Sequence, residues 1–246
     1  MKKSLIRISK ILSHSGICSR KNGEDLIING LVKVNGKVFK GFSIEKEEIK
    51  EIKVKNKLIT KQKTRAWCFY KPKGFVCSNN EQFKQKSFFR LLPKDLPRVI
   101  SVGRLDIMSE GLLVLTNSPS LSTYLEKPIN KIKRTYFVKV KGEIPGNIHK
   151  MLESGITIDG IIYDKINIEI LKDNCIKITL IEGKNREIRK ILEYFNLNVI
   201  SLKRSFYGPF KLNLLKPGDI KEIKNKDLNI YFKILKFKNE DNFWQT

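Results

Sequence analysis

Arg104 and Asp106 are the only charges in Ile100-Ser-Val-Gly-Arg-Leu-Asp-Ile-Met-Ser109, and the apolar run Leu112–Leu115 follows almost at once. The strand-like approach of Val99, Ile100 and Val102, if it stays extended, puts residues two apart on one face, so the two charges would share it. A carboxylate anchored between buried segments beside a guanidinium can be kept ionised and aimed, which makes a weak nucleophile usable. The same residues also suit an ion pair at a strand end. Tyr136 lies in Arg134-Thr-Tyr-Phe-Val-Lys-Val140, whose period of two puts Tyr136, Val138 and Val140 on one face. From the residues alone it reads as a core tyrosine with a satisfied hydroxyl. Arg186 and Arg189 are spaced i, i+3 at the start of a helical pattern and can reach one site together.

These residues need rigid elements behind them. Ile188, Ile191, Leu192 and Phe195 mark the buried face of the helix that carries the arginines, after a turn at Gly183, and Leu180 closes the preceding strand. Trp67-Cys-Phe-Tyr70 opens a second domain, and Lys71-Pro-Lys-Gly74 reads as a turn. The rest alternates strands with two or three helices, giving an α+β class. Upstream, Ile8, Ile11 and Leu12 define one helix stopped by Gly16. Ser19 caps a second helix carrying Leu26, Ile27 and Ile28, with Gly23 inside it as a mild cost. Val32 and Val34, the Asn35-Gly36 turn and Val38 form a hairpin, and Phe42 to Lys57 suggests edge strands closing the module. Thr60 to Arg65 is free of apolar residues and reads as a linker. The division expected is 1–60, a linker 61–66, a larger domain 67–236 and a frayed tail 237–246.

Composition limits the partners. Lys and Arg total 49 against 25 Asp and Glu, a formal charge of +24 over 246 residues. So large an excess favours a polyanion, and without a broad amphipathic helix nucleic acid is favoured over a membrane surface. Lys-, Ile- and Asn-rich usage can also reflect genomic base composition, so Arg positions carry more weight than Lys. No apolar run reaches membrane-spanning length and the N-terminus lacks a signal-peptide core, so a cytoplasmic protein is expected. Cys18, Cys68, Cys77 and Cys175 form no C-x-x-C pair, and His14 and His149 lie at no ligand spacing, so reduced thiols and no metal are expected. No phosphate-cradling glycine loop is present, and no cofactor is expected.

Ile8 to Lys21, followed by Ile28-Asn-Gly-Leu-Val-Lys-Val-Asn-Gly36, resembles the S4 RNA-binding domain. Arg20 and Lys21 would sit in the first turn of a helix, where backbone N–H groups favour phosphate. Lys10, Arg20 and Lys21 are the RNA contacts this resemblance suggests; a solvated basic face is the alternative.

Four further segments resemble the RsuA/RluB type of ribosomal RNA pseudouridine synthase: Phe69-Tyr-Lys-Pro-Lys-Gly74 with Phe88-Phe-Arg-Leu-Leu-Pro93; Val102-Gly-Arg-Leu-Asp-Ile107 with Gly111-Leu-Leu-Val-Leu-Thr116; Leu180 to Lys190; and Leu202-Lys-Arg-Ser-Phe-Tyr-Gly208. The resemblance implies a small S4-like domain joined to a larger, mainly antiparallel sheet flanked by helices. It implies a monomer that isomerises a uridine without cofactor: the C–N glycosidic bond breaks, the base turns, and a C–C bond forms. Asp106 would be the nucleophile, on ribose or on base. Tyr136 would stack against the uracil, Arg189 would pair with the carboxylate, and Leu180 would pack beneath the site. Arg104 would help displace the nucleotide or serve as a second partner for Asp106. Arg186 would contact RNA, and Arg204 would be a phosphate contact or a solvated strand residue. Large-subunit RNA or its assembly intermediate is the preferred target, with small-subunit RNA second. A rival class is an RNA-binding assembly factor without catalysis, which has no need of Asp106, Tyr136 and Arg189 together.

Overall fold

The computed structural model describes residues 5–60, 62–78, 81 and 85–239. The N-terminal module runs β1 (Leu5–Arg7), α1 (Ile8–His14), α2 (Arg20–Ile28), β2 (Val32–Val34), β3 (Lys37–Val38), β4 (Ser43–Glu45), β5 (Ile52–Val54) and β6 (Lys57–Leu58). Ile8, Ile11 and Leu12 are buried together with Ile27, Val32, Ile52 and Val54 in one core. Ser19 caps α2 through the Asn22 N–H at 3.1 Å. A Cβ on Gly23 would stand 3.3 Å from the Ser9 Cα, so the residue that weakens α2 is what lets α1 approach it. Asn35 and Gly36 both take positive φ at the hairpin turn. One expectation needs correcting: among the strands of Phe42–Lys57, β5 is an inner strand, paired with both β2 and β6 in the order β3-β2-β5-β6, whereas β6 is an edge of that sheet and β4 pairs only β1. Ile52 and Val54 of β5 are buried in one core with residues of α1 and α2.

The linker is less free than its composition suggested. Thr64 is buried, and Arg65 forms a two-point contact with Glu222 at 2.6 Å per bond. Asn117 accepts from the Arg65 N–H at 2.8 Å and donates to the Lys63 carbonyl at 2.9 Å. Polar residues can be fastened as firmly as apolar ones when a facing side chain completes their backbone bonds.

Next come β7 (Ala66–Lys71), β8 (Ile100–Ser101), β9 (Glu110–Thr116), α3 (Pro119–Glu126), β10 (Arg134–Lys141), α4 (Ile148–Glu153), β11 (Ile156–Ile158), β12 (Ile161–Tyr163), β13 (Asn167–Ile170), β14 (Cys175–Leu180), α5 (Glu187–Tyr194), β15 (Asn198–Tyr207), β16 (Phe210–Lys211), β17 (Ile220–Glu222) and α6 (Asn225–Leu235). The main sheet has the order β13-β14-β10-β15-β9-β7-β17, with β16 beside β15 and β8 beside β9. All its pairings are antiparallel except β9 with β15. Four α-helices are described here, against two or three expected; the six-residue α4 is too short to show a periodicity.

β7 and β9 are buried on both faces. Leu112 and Val114 meet α3 and α6, whereas Leu113 and Leu115 meet Trp67, Phe69 and Phe88. Two-sided burial is why these strands read as unbroken apolar runs. The expected tail begins at Phe237, but that ring packs 5.0 Å from Tyr124 and 5.2 Å from Phe232. The rest of it, 240–246, lies outside the described residues. No helix among the described residues is long and apolar enough to cross a membrane.

Candidate active site

Arg104 and Asp106 do not continue a strand. β8 ends at Ser101, and Gly103 turns the chain at φ +66° into a loop that runs to Ser109. Their common outlook therefore comes from loop geometry and not from strand alternation. Both still face one cavity of about 490 Å³, shared with Tyr136, Leu180, Arg186, Arg189 and Arg204. Asp106 is half-buried and Arg104 exposed. Among the described residues neither Arg104 nor Arg189 closes an ion pair with Asp106, so the strand-end ion pair is not formed.

The loop is held by its backbone. The ammonium of Lys71, a residue with no exposure, donates to the carbonyls of Pro72 (3.0 Å), Asp106 (3.2 Å) and Ser109 (2.8 Å). The Gly74 N–H donates to the Ile107 carbonyl at 2.7 Å, and the Leu105 N–H to the Cys77 sulfur at 3.4 Å. The Phe69–Gly74 segment is thus the seat of the Asp106 loop. Burial pulls Lys71 down to about 8, countered by the thiol of Cys77 and by Asp106. The sequence reading gave Lys71 no role, although a lysine ending a run as apolar as β7 was a signal that its charge had a partner inside.

Tyr136 is 9 % exposed on β10, between Ile178 of β14 and Arg204 of β15. A register shift between Thr135 and Tyr136 against β15 breaks the ladder at that point. Bulges of this kind re-aim a side chain. Leu180 is buried at the end of β14, in the cavity wall and in the same core as Tyr136 and Ile188.

Arg186 sits just before α5 with φ +53° and is exposed. It is a cap residue and not a helix residue, yet it meets Arg189 at the cavity as the spacing anticipated. Arg189 donates through Nη2 to the Met108 carbonyl at 3.2 Å, which ties α5 to the Asp106 loop. Burial and then the charge of Arg186 lower its guanidinium from the usual range, while Asp106 pulls the other way.

Arg204 is 2 % exposed, so it is not a solvated strand residue. Its Nε donates to the Leu112 carbonyl at 2.8 Å, and its guanidinium lies 5.0 Å from the Tyr207 ring centroid. Among the described residues it forms part of the cavity wall. Arg134 was also missed. It donates to the Tyr207 hydroxyl at 2.9 Å and to the Ile181 carbonyl at 3.1 Å. Ser109 Oγ, Glu187 Oε1, Arg189 Nε and Arg204 Nη2 are buried without partners, and all four residues line the cavity. Unpaired buried polar atoms are rare, and those of Ser109, Arg189 and Arg204 around one hollow suit a polar guest. Lys10, Arg20 and Lys21 are elsewhere: Lys10 on α1, Arg20 and Lys21 exposed in the first turn of α2.

Residues 65–194 match the family model described as RNA pseudouridylate synthase, and residues 6–42 match the S4 domain. A Rickettsia typhi protein named as an uncharacterized RNA pseudouridine synthase is 43 % identical over 91 % of this chain and 94 % of its own length. Proteins named ribosomal large subunit pseudouridine synthase B are 36 % identical in Buchnera aphidicola (91 % of this chain, 94 % of the relative) and 32 % identical in Bacillus subtilis (88 % and 91 %). A crystal structure of a pseudouridylate synthase shares the fold, with a TM-score of 0.67 at 24 % identity over 92 % of this chain and 99 % of that one. This chain therefore belongs to the RNA pseudouridine synthases, with an S4 domain at its N-terminal side.

Proposed function

We propose that the chain converts a uridine of ribosomal RNA, in the large subunit or its assembly intermediate, to pseudouridine, with Asp106 as the nucleophile. The observation that carries this reading is the meeting of Asp106, Tyr136 and Arg189 at one half-enclosed cavity, with the Asp106 loop fastened from both sides. A target uridine enters the cavity flipped out of its stack. Stacking on Tyr136 offsets lost base stacking by about 1–3 kcal/mol. Leu180 supports it from below, and Arg104, exposed at the mouth, fills the space the nucleotide leaves. The carboxylate of Asp106 attacks, the C1′–N1 bond breaks, and the uracil turns. C1′ then bonds to C5, the C5 proton leaves, N1 takes up a proton, and the covalent bond to Asp106 breaks to free the carboxylate. Arg189 is near enough to Asp106 to feel its charge.

We take residues 1–60 as the RNA-gripping unit, with Lys10, Arg20 and Lys21 against phosphates, residues 67–236 as the catalytic unit, and a monomer in the cytoplasm as the working form. The names of the Buchnera and Bacillus relatives support a large-subunit target.

The test maps carbodiimide-labelled RNA by reverse-transcriptase stops after incubation with purified protein. One new stop in large-subunit RNA is expected, lost with Asp106→Asn. A new stop in small-subunit RNA keeps the chemistry and moves the target. Absence of any stop on deproteinised or partly assembled RNA would overturn the ribosomal assignment.

A further inference from the structure

Two carboxylates of the third segment, Glu182 and Glu187, line the cavity without a part in the chemistry above. Glu187 opens α5 and is 4 % exposed. Its Oε2 accepts the Lys184 N–H at 2.8 Å, while its Oε1 is buried with no partner. Glu182 accepts the Asp164 N–H at 2.7 Å and meets the Lys184 ammonium, which also donates to the Ile162 carbonyl at 2.8 Å. The turn 182–187 is thus stitched to itself and to the end of β12. That turn carries Arg186 and leads directly to Arg189.

The charged and titratable groups facing Glu187 are few. On its own turn they are Glu182 and Lys184; from β12 there is the Tyr163 phenol, raised by burial and then by Glu187; Asp159 acts on the same phenol more weakly. Lys184 lies 5.5 Å from the Tyr163 ring centroid, and the Arg134 guanidinium passes beneath Gly183. One lysine shared between two carboxylates cannot neutralise both. Burial and then Glu182 push Glu187 up to about 8, so it holds a proton at neutral pH. Oε2 is already an acceptor, so that proton sits on Oε1, and the orphaned atom becomes a donor.

We propose that Glu187 is a positioning residue that works as a neutral acid: its Oε1–H donates to the Glu182 carboxylate, and this latch sets the turn that aims Arg186 and Arg189 at Asp106. The proposal rests on Asp106 being the reacting carboxylate. When Glu187 loses its proton, two adjacent carboxylates repel, the turn loosens, and the arginines lose their aim. Turnover then falls as pH rises through the Glu187 ionisation.

The experiment compares full-length wild type, Glu187→Gln and Glu187→Ala on a tritium-labelled transcript of bacterial large-subunit ribosomal RNA, reading tritium released from C5 against pH. An amide can accept from Lys184 and donate to Glu182 but cannot ionise. Glu187→Gln should keep kcat within about threefold near neutral pH and lose the alkaline fall, whereas Glu187→Ala should lower kcat about tenfold or more with RNA affinity little changed. Carboxyl carbon NMR of the free protein should show one glutamate titrating near 8, absent in Glu187→Gln. An alkaline fall that persists in Glu187→Gln would assign it to another group, Lys71 first, and overturn the proposal. A glutamine variant as poor as the alanine variant, or no high-titrating carboxyl in the wild type, would do the same. If wild type releases no tritium at all, the target reading fails, and the carboxyl titration decides the latch on its own.

Discussion

Three carbonyls, of Pro72, Asp106 and Ser109, converge on the Lys71 ammonium. The loop, anchored by the buried Val102 and Leu105, is thereby also held to a strand end, and Asp106 inherits that rigidity. Lys71→Met keeps the stem and removes the donors. Each buried acceptor left unpaired costs about 1–3 kcal/mol. Urea unfolding should register a loss of at least that size, and kcat should fall with it; unchanged stability would show that the three bonds contribute nothing net. Asp106→Asn is the complementary case. The loop's backbone bonds survive, so RNA affinity should hold while turnover drops about 10⁴-fold or more, in single-turnover assays. Glu187 gives stability an unusual sign. Its proton is held to about 8 in the folded chain against about 4.5 ordinarily, so the unfolded state releases it first and stability declines as pH rises through that window. Urea midpoints of Glu187→Gln should lack this component of the slope, and identical slopes would mean that Glu187 folds as an ordinary carboxylate.

At the scale of elements, the parallel contact of β9 with β15 joins the strand that follows the Asp106 loop to the strand that flanks Tyr136. Gly111 makes the contact possible. Its φ is +103°, and a Cβ there would stand 2.3 Å from the Arg204 carbonyl oxygen. That is backbone against backbone, so nothing flexible can move aside. Gly111→Ala should destabilise by about 3 kcal/mol or more, or leave the chain insoluble. Near wild-type melting would mean that the strands can part without loss. The elements most visible in the sequence were those with one clean period. β10 alternated, α5 showed its i, i+3, i+4, i+7 face, and Ser19 and Asn35-Gly36 marked a cap and a turn. Val99, Ile100 and Val102 look like a strand, and a common face for Arg104 and Asp106 followed from them only on the condition that the chain stays extended. What bends it is Gly103 and the bonds from Lys71 and Gly74, which lie more than 30 positions earlier in the chain.

Over the whole molecule, +24 net charge must be balanced in use by an anion. With roughly 6–10 phosphate contacts, RNA affinity should fall ~10³–10⁵ between 50 and 200 mM salt, and substituting Arg20 and Lys21 together by Ala should lower the log–log slope by about 2. Filter binding or anisotropy across salt concentrations measures both. Salt-insensitive binding would contradict the electrostatic reading, and an unchanged slope would remove the first turn of α2 from the RNA footprint.

Local pattern determined the helices, cap and hairpin of the N-terminal module and the α+β class, while resemblance of short motifs supplied the S4 and family segments and pointed to Asp106, Tyr136 and Arg189. These are matters of period, cap and short motif, and neighbouring residues decide them. Burial and partnership were decided only by the tertiary structure. Arg204 could be solvated or functional by sequence and is 2 % exposed; Lys71 looked like part of a turn and holds the Asp106 loop; Glu187 drew no reading from the sequence and is buried in the cavity wall. The physical reason is that desolvation and charge pairing depend on what the distant chain brings alongside, and no short-range pattern encodes that.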